Sequence, residues 1–227
     1  MSVFIIAEAS VNHQGDYEIA EGLVRSAMDA GADAVKFQLF KDRPAIEHLR
    51  FTEEEIEGLH LYCQDRRIQF MCTPFYPEAV AFLDPLVKRH KLASGYLKNR
   101  TMLDAVCATA KPVIASTGMT IPYQIAEAVS GRANISLLHC VSSYPCPDED
   151  ANILAMDGLR KFGFPVGYSD HTVGTLACVA AVARGAQIIE KHITFDKTAE
   201  GPDHACSAEP EEFAEMVRKI RRLERML

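Results

Sequence analysis

The chain has 227 residues, of which 48% are hydrophobic and 24% are charged, a composition typical of a globular protein with one sizeable core. Its formal net charge is −7, which argues against nucleic acid or an anionic membrane as a partner. The seven Cys form no C-x-x-C pair, so they predict neither a disulfide framework nor a zinc knuckle. No signal peptide precedes the first apolar run, and no run approaches the roughly 20 residues that cross a membrane. We therefore expect a cytoplasmic protein.

Short apolar runs alternate with amphipathic segments along the whole chain. The first helix is expected over Tyr17–Ala30, a capping box at Thr52–Glu55 begins the next, and Phe213 to Leu223 gives the last helix its buried stripe. Glycines such as Gly31 and Gly185 are expected to end helices. The predicted strands are Val3–Ala7, Ala34–Phe37, Gln69–Cys72, Lys91–Ala93, Val113–Ala115, Ser136–Cys140, Val166–Tyr168 and Gln187–Glu190.

The regular alternation of strands and helices predicts an α/β fold, a (β/α)₈ TIM barrel that forms one compact domain over residues 1–227. No Gly-x-Gly-x-x-Gly motif follows the first strand, which disfavours a dinucleotide-binding, doubly wound sheet. Since such barrels more often have about 250 residues, we expect short loops or one abbreviated element.

Polar side chains gather at the ends of the last two predicted strands. Ser169 and His171 end one, Glu190 and His192 end the next, and Asp203 follows in a loop. Because side chains alternate along a strand, the members of each pair should point in the same direction. Two imidazoles at a barrel mouth suit a divalent ion such as Mn, Fe, Co or Zn, with Asp203 or Glu190 as an oxygen ligand or base. For either histidine alone, a hydrogen-bonded packing role is the alternative.

A second group combines lysines, hydroxyls and a carboxylate at the ends of the first five strands. Such side chains, close to helix N-termini, are what a phosphate-bearing anion requires. A buried Lys36 would be costly without such a ligand, unless it pairs with Glu8 or another barrel carboxylate. Strict alternation places Lys91 and Ser94 on opposite faces, so we expect either a bulge or only one of them in the site. The group consists of Glu8, Ser10, Lys36, Gln38, Thr73, Lys91, Ser94, Ser116, Thr117 and Gly118.

Three further features have two interpretations each. The segment Tyr144–Pro147 is either a substrate-facing loop or a rigid turn. Cys72 is interpreted as a small packing residue rather than a nucleophile. His139, which ends the sixth strand between apolar neighbours, is interpreted as a core histidine with a hydrogen-bond partner.

Taken in order along the chain, these pieces resemble the N-acetylneuraminate (sialic acid) synthases, which condense phosphoenolpyruvate with an amino-sugar aldehyde. The resemblance covers nearly the whole chain and corresponds to the catalytic barrel of that family. The matching segments are Ile6–Glu8, Val11–Asp16, Gly31–Gln38, Thr73–Phe75, Ala93–Gly95, Ser116–Met119, Leu138–Cys140, Ser143–Pro145, Gly167–Thr172, Ile189–His192 and Gly201–His204.

The resemblance implies a transferase of nonulosonic acid biosynthesis that joins phosphoenolpyruvate to an aldehyde or amino sugar and releases phosphate. It implies a divalent metal ion on His171 and His192, commonly Mn²⁺ with Mg²⁺ or Co²⁺ as alternatives, no organic cofactor, and a homodimer. The implied catalytic residues are Glu8, Lys36, His171, His192 and Asp203. The implied substrate-binding residues are Lys36, Gln38, Thr73, Lys91, Ser94, Ser116, Tyr144, Ser169, Glu190 and Asp203.

Three departures from the family pattern concern the acceptor side of the site. Tyr96 stands where the family usually has a glutamate, and the segment from Phe40 to Thr52 is short. The family usually continues into a C-terminal antifreeze-like domain that brings an arginine over a partner's site, whereas this sequence ends at Leu227. Two other functions therefore stay open. One is a metal-dependent pyruvate aldolase or lyase, which the phosphate-binding group disfavours, and the other is a non-catalytic or partner-dependent subunit that binds metal and phosphoenolpyruvate.

Overall fold

Eight parallel strands form the centre of the computed structural model, which describes residues 2–227. The strands are β1 (Phe4–Ser10), β2 (Ala34–Leu39), β3 (Gln69–Pro74), β4 (His90–Leu92), β5 (Val113–Ser116), β6 (Ile135–His139), β7 (Val166–Asp170) and β8 (Ile188–His192). Their order in the sheet is β3-β2-β1-β8-β7-β6-β5-β4. Strands β3 and β4 lie side by side, and no hydrogen-bonded ladder joins them within residues 2–227. The sheet is thus a nearly closed barrel, and the predicted fold class is confirmed.

A helix follows each strand and packs on the outside of the barrel. The helices are α1 (Tyr17–Asp29), α2 (Glu53–Asp65), α3 (Pro77–Leu83), α4 (Arg100–Ala108), α5 (Pro122–Val129), α6 (Ala155–Arg160), α7 (Leu176–Ala183) and α8 (Pro210–Leu223). The predicted capping box is present, because Thr52 accepts a hydrogen bond from the Glu55 amide and Glu55 accepts one from the Thr52 amide. No helix among residues 2–227 is both long and apolar enough to cross a bilayer.

The barrel interior changes from apolar to polar along the strand direction. Ile6, Ala34, Met71, Ile114, Leu138 and Ile188 form a buried apolar layer in its lower half. Two residues further along each of β1, β2 and β8, the side chains on the same face are Glu8, Lys36 and Glu190. The period of two therefore stacks a polar layer directly on the apolar one, at the carboxyl ends of the strands, where the active sites of such barrels lie.

Several strand boundaries differ from the predicted ones. β1 extends to Ser10 and β8 extends to His192, whereas the predicted strands stop at Ala7 and Glu190. The apolar pattern ends early because the last residues of these strands face the polar layer. β4 is His90–Leu92 rather than Lys91–Ala93 and has only three residues, so it is the abbreviated element that the chain length predicts.

Gly167 in β7 lies where the backbone of β8 comes close. A Cβ atom there would lie 2.6 Å from Leu138 Cδ2 and would also overlap the Ile188 carbonyl oxygen. We expect Gly167→Ala to lower the free energy of unfolding by about 1–3 kcal/mol, since the backbone cannot move aside cheaply. Gly158→Ala is the control, because a Cβ there meets nothing within 4 Å and alanine favours the helix by about 1 kcal/mol. Urea unfolding of both variants checks this, and equal effects would contradict the close approach.

Candidate active site

The carboxyl ends of the strands surround a cavity of about 460 Å³. This volume is in the usual range for small-molecule sites. Every catalytic, substrate-binding or metal-binding residue that the family resemblance implies lines this cavity, whereas Ser10, Thr117 and Gly118 of the predicted anion-binding group do not; the chemical roles stay predictions. The implied residues in the cavity wall are Glu8, Lys36, Gln38, Thr73, Lys91, Ser94, Ser116, Tyr144, Ser169, His171, Glu190, His192 and Asp203.

Lys36 is at the centre of the polar layer and is 3% exposed. It forms an ion pair with Glu8, its Nζ lies 3.5 Å from Glu190 Oε2, and it donates a hydrogen bond to Thr73 Oγ1 at 3.1 Å. Burial lowers the pKa of Lys36 to about 8, although Glu190 opposes part of this effect. The lysine is thus paired with barrel carboxylates, as the sequence analysis allowed, and still faces the cavity.

Lys91 approaches Glu190 from another strand. Its Nζ donates to Ser116 Oγ at 2.7 Å and lies 3.5 Å from Glu190 Oε1, to which Ser169 Oγ also donates at 3.0 Å. Burial pushes the pKa of Glu190 upward, but the nearby Lys36 and Lys91 outweigh it and lower that pKa to about 2. Glu190 is therefore an anion that holds both lysines in the polar layer.

Ser94 reaches the cavity by a local change of backbone. β4 ends at Leu92, and a single 3₁₀ turn over Ser94–Tyr96 brings Ser94 to the same side as Lys91. Ser94 Oγ accepts a hydrogen bond from the Gly118 amide at 3.2 Å and lies 3.2 Å from Cys140 Sγ. Both predicted residues of this segment thus face the site, through a turn rather than a bulge.

His171 and His192 lie side by side at the mouth, with their ring centroids 5.5 Å apart. His171 Nδ1 is 2.6 Å from the Val141 carbonyl oxygen, which only accepts, so Nδ1 carries the proton and Nε2 keeps its lone pair. His192 Nδ1 is buried without a hydrogen-bond partner among residues 2–227. Burial lowers the pKa of both rings, that of His192 strongly, which favours neutral imidazoles.

Asp203 is held beside these rings by a chain of polar contacts. Its Oδ2 is 3.8 Å from His192 Nδ1 and accepts a hydrogen bond from Ser10 Oγ. Gln38 Nε2 in turn donates to Ser10 Oγ at 2.6 Å. The chain joins β2, β1 and the loop after β8, so it fixes the direction of the carboxylate. Burial raises the pKa of Asp203.

The donor set at the mouth fits a divalent metal ion with open coordination positions. Neutral imidazoles are the form that binds metals, and a backbone carbonyl that orients one ring is a common outer partner of a metal ligand. In the part of the chain that the structure describes, no three His, Cys, Asp or Glu side chains converge as a ready-made metal cluster. Two histidines with one nearby carboxylate therefore remain the predicted ligands, and the metal itself stays a prediction.

Tyr144 covers the two histidines from the loop after β6. Its ring centroid is 4.0 Å from that of His171 and 6.0 Å from that of His192, and 46% of the residue is exposed. The residue also lines the cavity. Of the two interpretations of this segment, the geometry favours the substrate-facing loop.

Several cavity residues were not predicted from the sequence. Arg43, Phe75 and Tyr96 form one wall, in which the guanidinium carbon of Arg43 lies 4.1 Å from the Phe75 ring centroid and Phe75 meets Tyr96 edge to face at 5.6 Å. Ile46, Met119, Cys140 and Ser142 also line the cavity. Most of these residues lie in loops, where the sequence has no periodicity that would indicate which way a side chain points. Phe75, Met119 and Cys140 carried a signal as parts of segments that match the family, and Tyr96 carried one as a departure from the family pattern, whereas Arg43, Ile46 and Ser142 carried none.

A buried ion pair lies behind the two histidines, on the outer face of the sheet. Lys191 Nζ is 2.9 Å from Asp170 Oδ2, and both side chains are fully buried. Lys191 also donates to the Thr172 carbonyl oxygen at 2.6 Å, while Asp170 accepts hydrogen bonds from the Thr172 amide and hydroxyl. Asp170 directly precedes His171 and Lys191 directly precedes His192. The ion pair therefore joins β7 to β8 next to the two histidines.

The NeuB family model matches residues 44–227 of the chain. N,N'-diacetyllegionaminic acid synthase of Legionella pneumophila is 38% identical, over 100% of this chain and 74% of that protein. The uncharacterized protein MJ1065 of Methanocaldococcus jannaschii is 47% identical, over 99% of this chain and 72% of that protein. The crystal structure of N-acetylneuraminic acid (sialic acid) synthetase from Leptospira borgpetersenii has a TM-score of 0.95 at 38% identity, covering 100% of this chain and 85% of that one.

Proposed function

Because the chain belongs to the NeuB family of synthases, we propose that it condenses phosphoenolpyruvate with an aldehyde sugar and releases inorganic phosphate. The proposed acceptor is an amino sugar and the proposed product a nonulosonic acid, by analogy with the legionaminic and sialic acid synthases to which the chain is similar. The two small molecules are its proposed partners. A homodimer, implied by the family resemblance, stays a prediction that light scattering can test.

The observation that carries this proposal is the buried set of cations and hydroxyls in the polar layer. Lys36 and Lys91 each have three N–H donors. Those of Lys36 face Glu8, Glu190 and Thr73, whereas Lys91 has, among residues 2–227, only Ser116 and Glu190 as acceptors and keeps one donor for a ligand. Phosphoenolpyruvate needs donors for both a phosphate and a carboxylate, in a place that excludes bulk water. The hydroxyls that line the same cavity include those of Thr73, Ser94, Ser116 and Ser169.

Glu8 is the proposed base that takes the proton from the water that the reaction consumes. Its Oε1 is buried and has no hydrogen-bond partner among residues 2–227, so it can accept one from water or substrate. In the proposed reaction, C3 of phosphoenolpyruvate forms the new bond to the aldehyde carbon, and the aldehyde oxygen takes up a proton. Water adds to C2 and gives its proton to Glu8. The bond from C2 to the phosphate oxygen then breaks and the C2 hydroxyl gives its proton to the leaving phosphate, which leaves a ketone and free phosphate; the proton that Glu8 takes from water balances the one that the aldehyde oxygen takes up.

The acceptor is proposed to lie at the mouth, between Asp203 and Tyr144. The hydrogen bonds from Gln38 through Ser10 hold Asp203 in one direction, so its carboxylate can orient a hydroxyl of the sugar. A divalent metal ion, Mn²⁺ by preference, would be held by His171 and His192 and would supply Lewis-acid polarisation of the acceptor carbonyl. The Tyr144 ring is tilted against His171 and meets His192 edge to face, so it contributes a wall to the proposed acceptor region.

The affinity for phosphoenolpyruvate should fall as the pH rises through about 8. In the free protein the pKa of Lys36 is lowered to about 8, so this ammonium becomes neutral above that pH and its attraction for the anion is lost. The phosphate of the ligand is already fully ionised there, since its second pKa is about 6. Calorimetric titration between pH 6.5 and 9.5 should show the dissociation constant rising by up to about tenfold per pH unit. Lys36→Met should bind weakly at every pH, and a flat profile in the wild-type protein would contradict this role.

A panel assay separates the proposed function from its alternatives. Purified protein with Mn²⁺ and phosphoenolpyruvate is offered aldoses and amino sugars, and phosphate release is measured. Release that needs both the metal and an aldehyde supports the synthase. Turnover of pyruvate but not of phosphoenolpyruvate points to an aldolase, and tight phosphoenolpyruvate binding without turnover points to a partner-dependent subunit.

A further inference from the structure

Arg43 differs from the other cations of the cavity, because it has no acidic partner. Lys36 is paired with Glu8, and Lys91 lies within reach of Glu190. Among residues 2–227, no carboxylate oxygen lies within 4.0 Å of the Arg43 guanidinium, although the residue lines the same cavity. The three cations of the cavity, Lys36, Lys91 and Arg43, are matched in number by the carboxyl groups of Glu8, Glu190 and Asp203, but Arg43 is the cation that has none of them within reach, which is favourable for a ligand with a negative charge at that place.

The guanidinium of Arg43 is held by an aromatic surface rather than by an ion pair. Its central carbon lies 4.1 Å from the centroid of Phe75 and 6.0 Å from that of Phe40, and Phe75 is braced by Tyr96 at 5.6 Å. Stacking restrains the planar group while its N–H donors remain free along the edge. Such an edge binds a carboxylate or a phosphate through two parallel hydrogen bonds.

The position of Arg43 along the chain indicates which end of a substrate it meets. Lys36 lies deep in β2 with 3% exposure, Gln38 is half-buried further along, and Arg43 is half-buried in the loop that follows. The aldehyde carbon of an acceptor must reach the phosphoenolpyruvate held at the depth of Lys36. The end of the acceptor remote from its aldehyde then lies toward the mouth, on the side where Arg43 stands.

We infer that the acceptor is an aldehyde sugar with a phosphate or carboxylate at the end remote from the aldehyde, and that Arg43 binds this anionic group. The inference rests on the proposed condensation and adds the class of acceptor. Tyr96 and Phe75 supply the apolar wall along which the carbon chain of the sugar lies.

Arg43→Gln tests this role, with Lys41→Gln as a matched control. Lys41 is two residues away, also lies over an aromatic ring (Tyr76, 4.2 Å), and loses the same charge, but it pairs with Glu78 and does not line the cavity. The substrates are a 2-acetamido-2-deoxyhexose and its 6-phosphate, with a hexuronic acid as the carboxylate probe, and consumption of phosphoenolpyruvate is followed. We expect wild-type protein to prefer an anionic acceptor. Arg43→Gln should lower kcat/KM for that acceptor about 30-fold and leave the neutral sugar and the KM for phosphoenolpyruvate nearly unchanged. Lys41→Gln should behave as wild type.

Three results would overturn the inference: a wild-type preference for the neutral sugar, an equal loss with both kinds of acceptor, or a raised KM for phosphoenolpyruvate in Arg43→Gln. If the wild-type protein consumes phosphoenolpyruvate with none of the sugars, the proposed condensation itself fails for them. Titration of the sugar phosphate into protein saturated with phosphoenolpyruvate then decides the role of Arg43 separately. Binding that is lost in Arg43→Gln and kept in Lys41→Gln supports it, and binding that is absent or equal in all three proteins refutes it.

Discussion

Replacing His171 or His192 with alanine should abolish condensation and lower the affinity for Mn²⁺ by at least about 100-fold, since even outer partners of a metal ligand contribute 10–100-fold. Both imidazoles face the cavity, with their centroids 5.5 Å apart, and burial lowers the pKa of each. Alanine removes one donor nitrogen without adding bulk, so the barrel should stay folded. Metal content after dialysis and phosphate release are the two measurements.

His139→Ala is the matched control for loss of a buried histidine. His139 ends β6, is 9% exposed and lies 3.0 Å from the Ala151 carbonyl oxygen through Nε2, but it is not part of the cavity wall. Its replacement should lower the melting temperature and leave the metal content of the folded protein unchanged. Wild-type metal content in His171→Ala or His192→Ala would refute the two-histidine site.

Lys191→Met should lower the free energy of unfolding by roughly 3–5 kcal/mol, the largest loss of stability expected here. The Lys191–Asp170 pair is fully buried at 2.9 Å, so removal of the ammonium leaves the Asp170 carboxylate in the interior without its counter-charge. The hydrogen bonds from Thr172 to Asp170 remain and offset only a part of this cost. Urea or thermal unfolding followed by circular dichroism measures the change.

Lys197→Met is the comparison that separates burial from charge pairing. Lys197 and Glu212 are also 2.9 Å apart, but their side chains are 32% and 29% exposed, so the loss should be at most about 1 kcal/mol. The double variant Asp170→Asn/Lys191→Met should recover part of the stability, because no unpaired charge is left inside. A Lys191→Met protein as stable as Lys197→Met would show that Asp170 is not left as a buried charge.

The barrel was predictable because strand-like apolar runs and amphipathic helical segments alternate along the chain. Short apolar runs mark the strands, and the alternation of side chains along a strand places Ser169 with His171 and Glu190 with His192, while Glu8 and Lys36 were assigned to the site by their positions at strand ends. Strand ends were less predictable. Ser10 and His192 belong to strands, yet their polarity interrupts the apolar pattern because the carboxyl end of this barrel is itself polar inside.

Residues outside the strands were the least predictable part of the site. Ser94 enters the cavity because the chain leaves β4 after Leu92 and turns, which an alternation rule cannot anticipate. Arg43 and Phe75 come together from different loops, so their contact depends on tertiary packing that leaves no mark in the local sequence. The unpredicted residues therefore concentrate at the mouth, where the proposed acceptor binds, whereas the proposed phosphoenolpyruvate site lies on the strands except for Ser94.

The measurement that tests the proposed condensation most directly is a carbon-labelling experiment. Phosphoenolpyruvate labelled with ¹³C at C3 is incubated with the protein, Mn²⁺ and an accepted sugar, and the products are analysed by NMR. We expect one phosphate released for each sugar consumed, and the labelled carbon bonded to the former aldehyde carbon in a 2-keto acid. Label that appears in pyruvate, or phosphate release that does not need the sugar, would contradict a carbon–carbon bond-forming synthase.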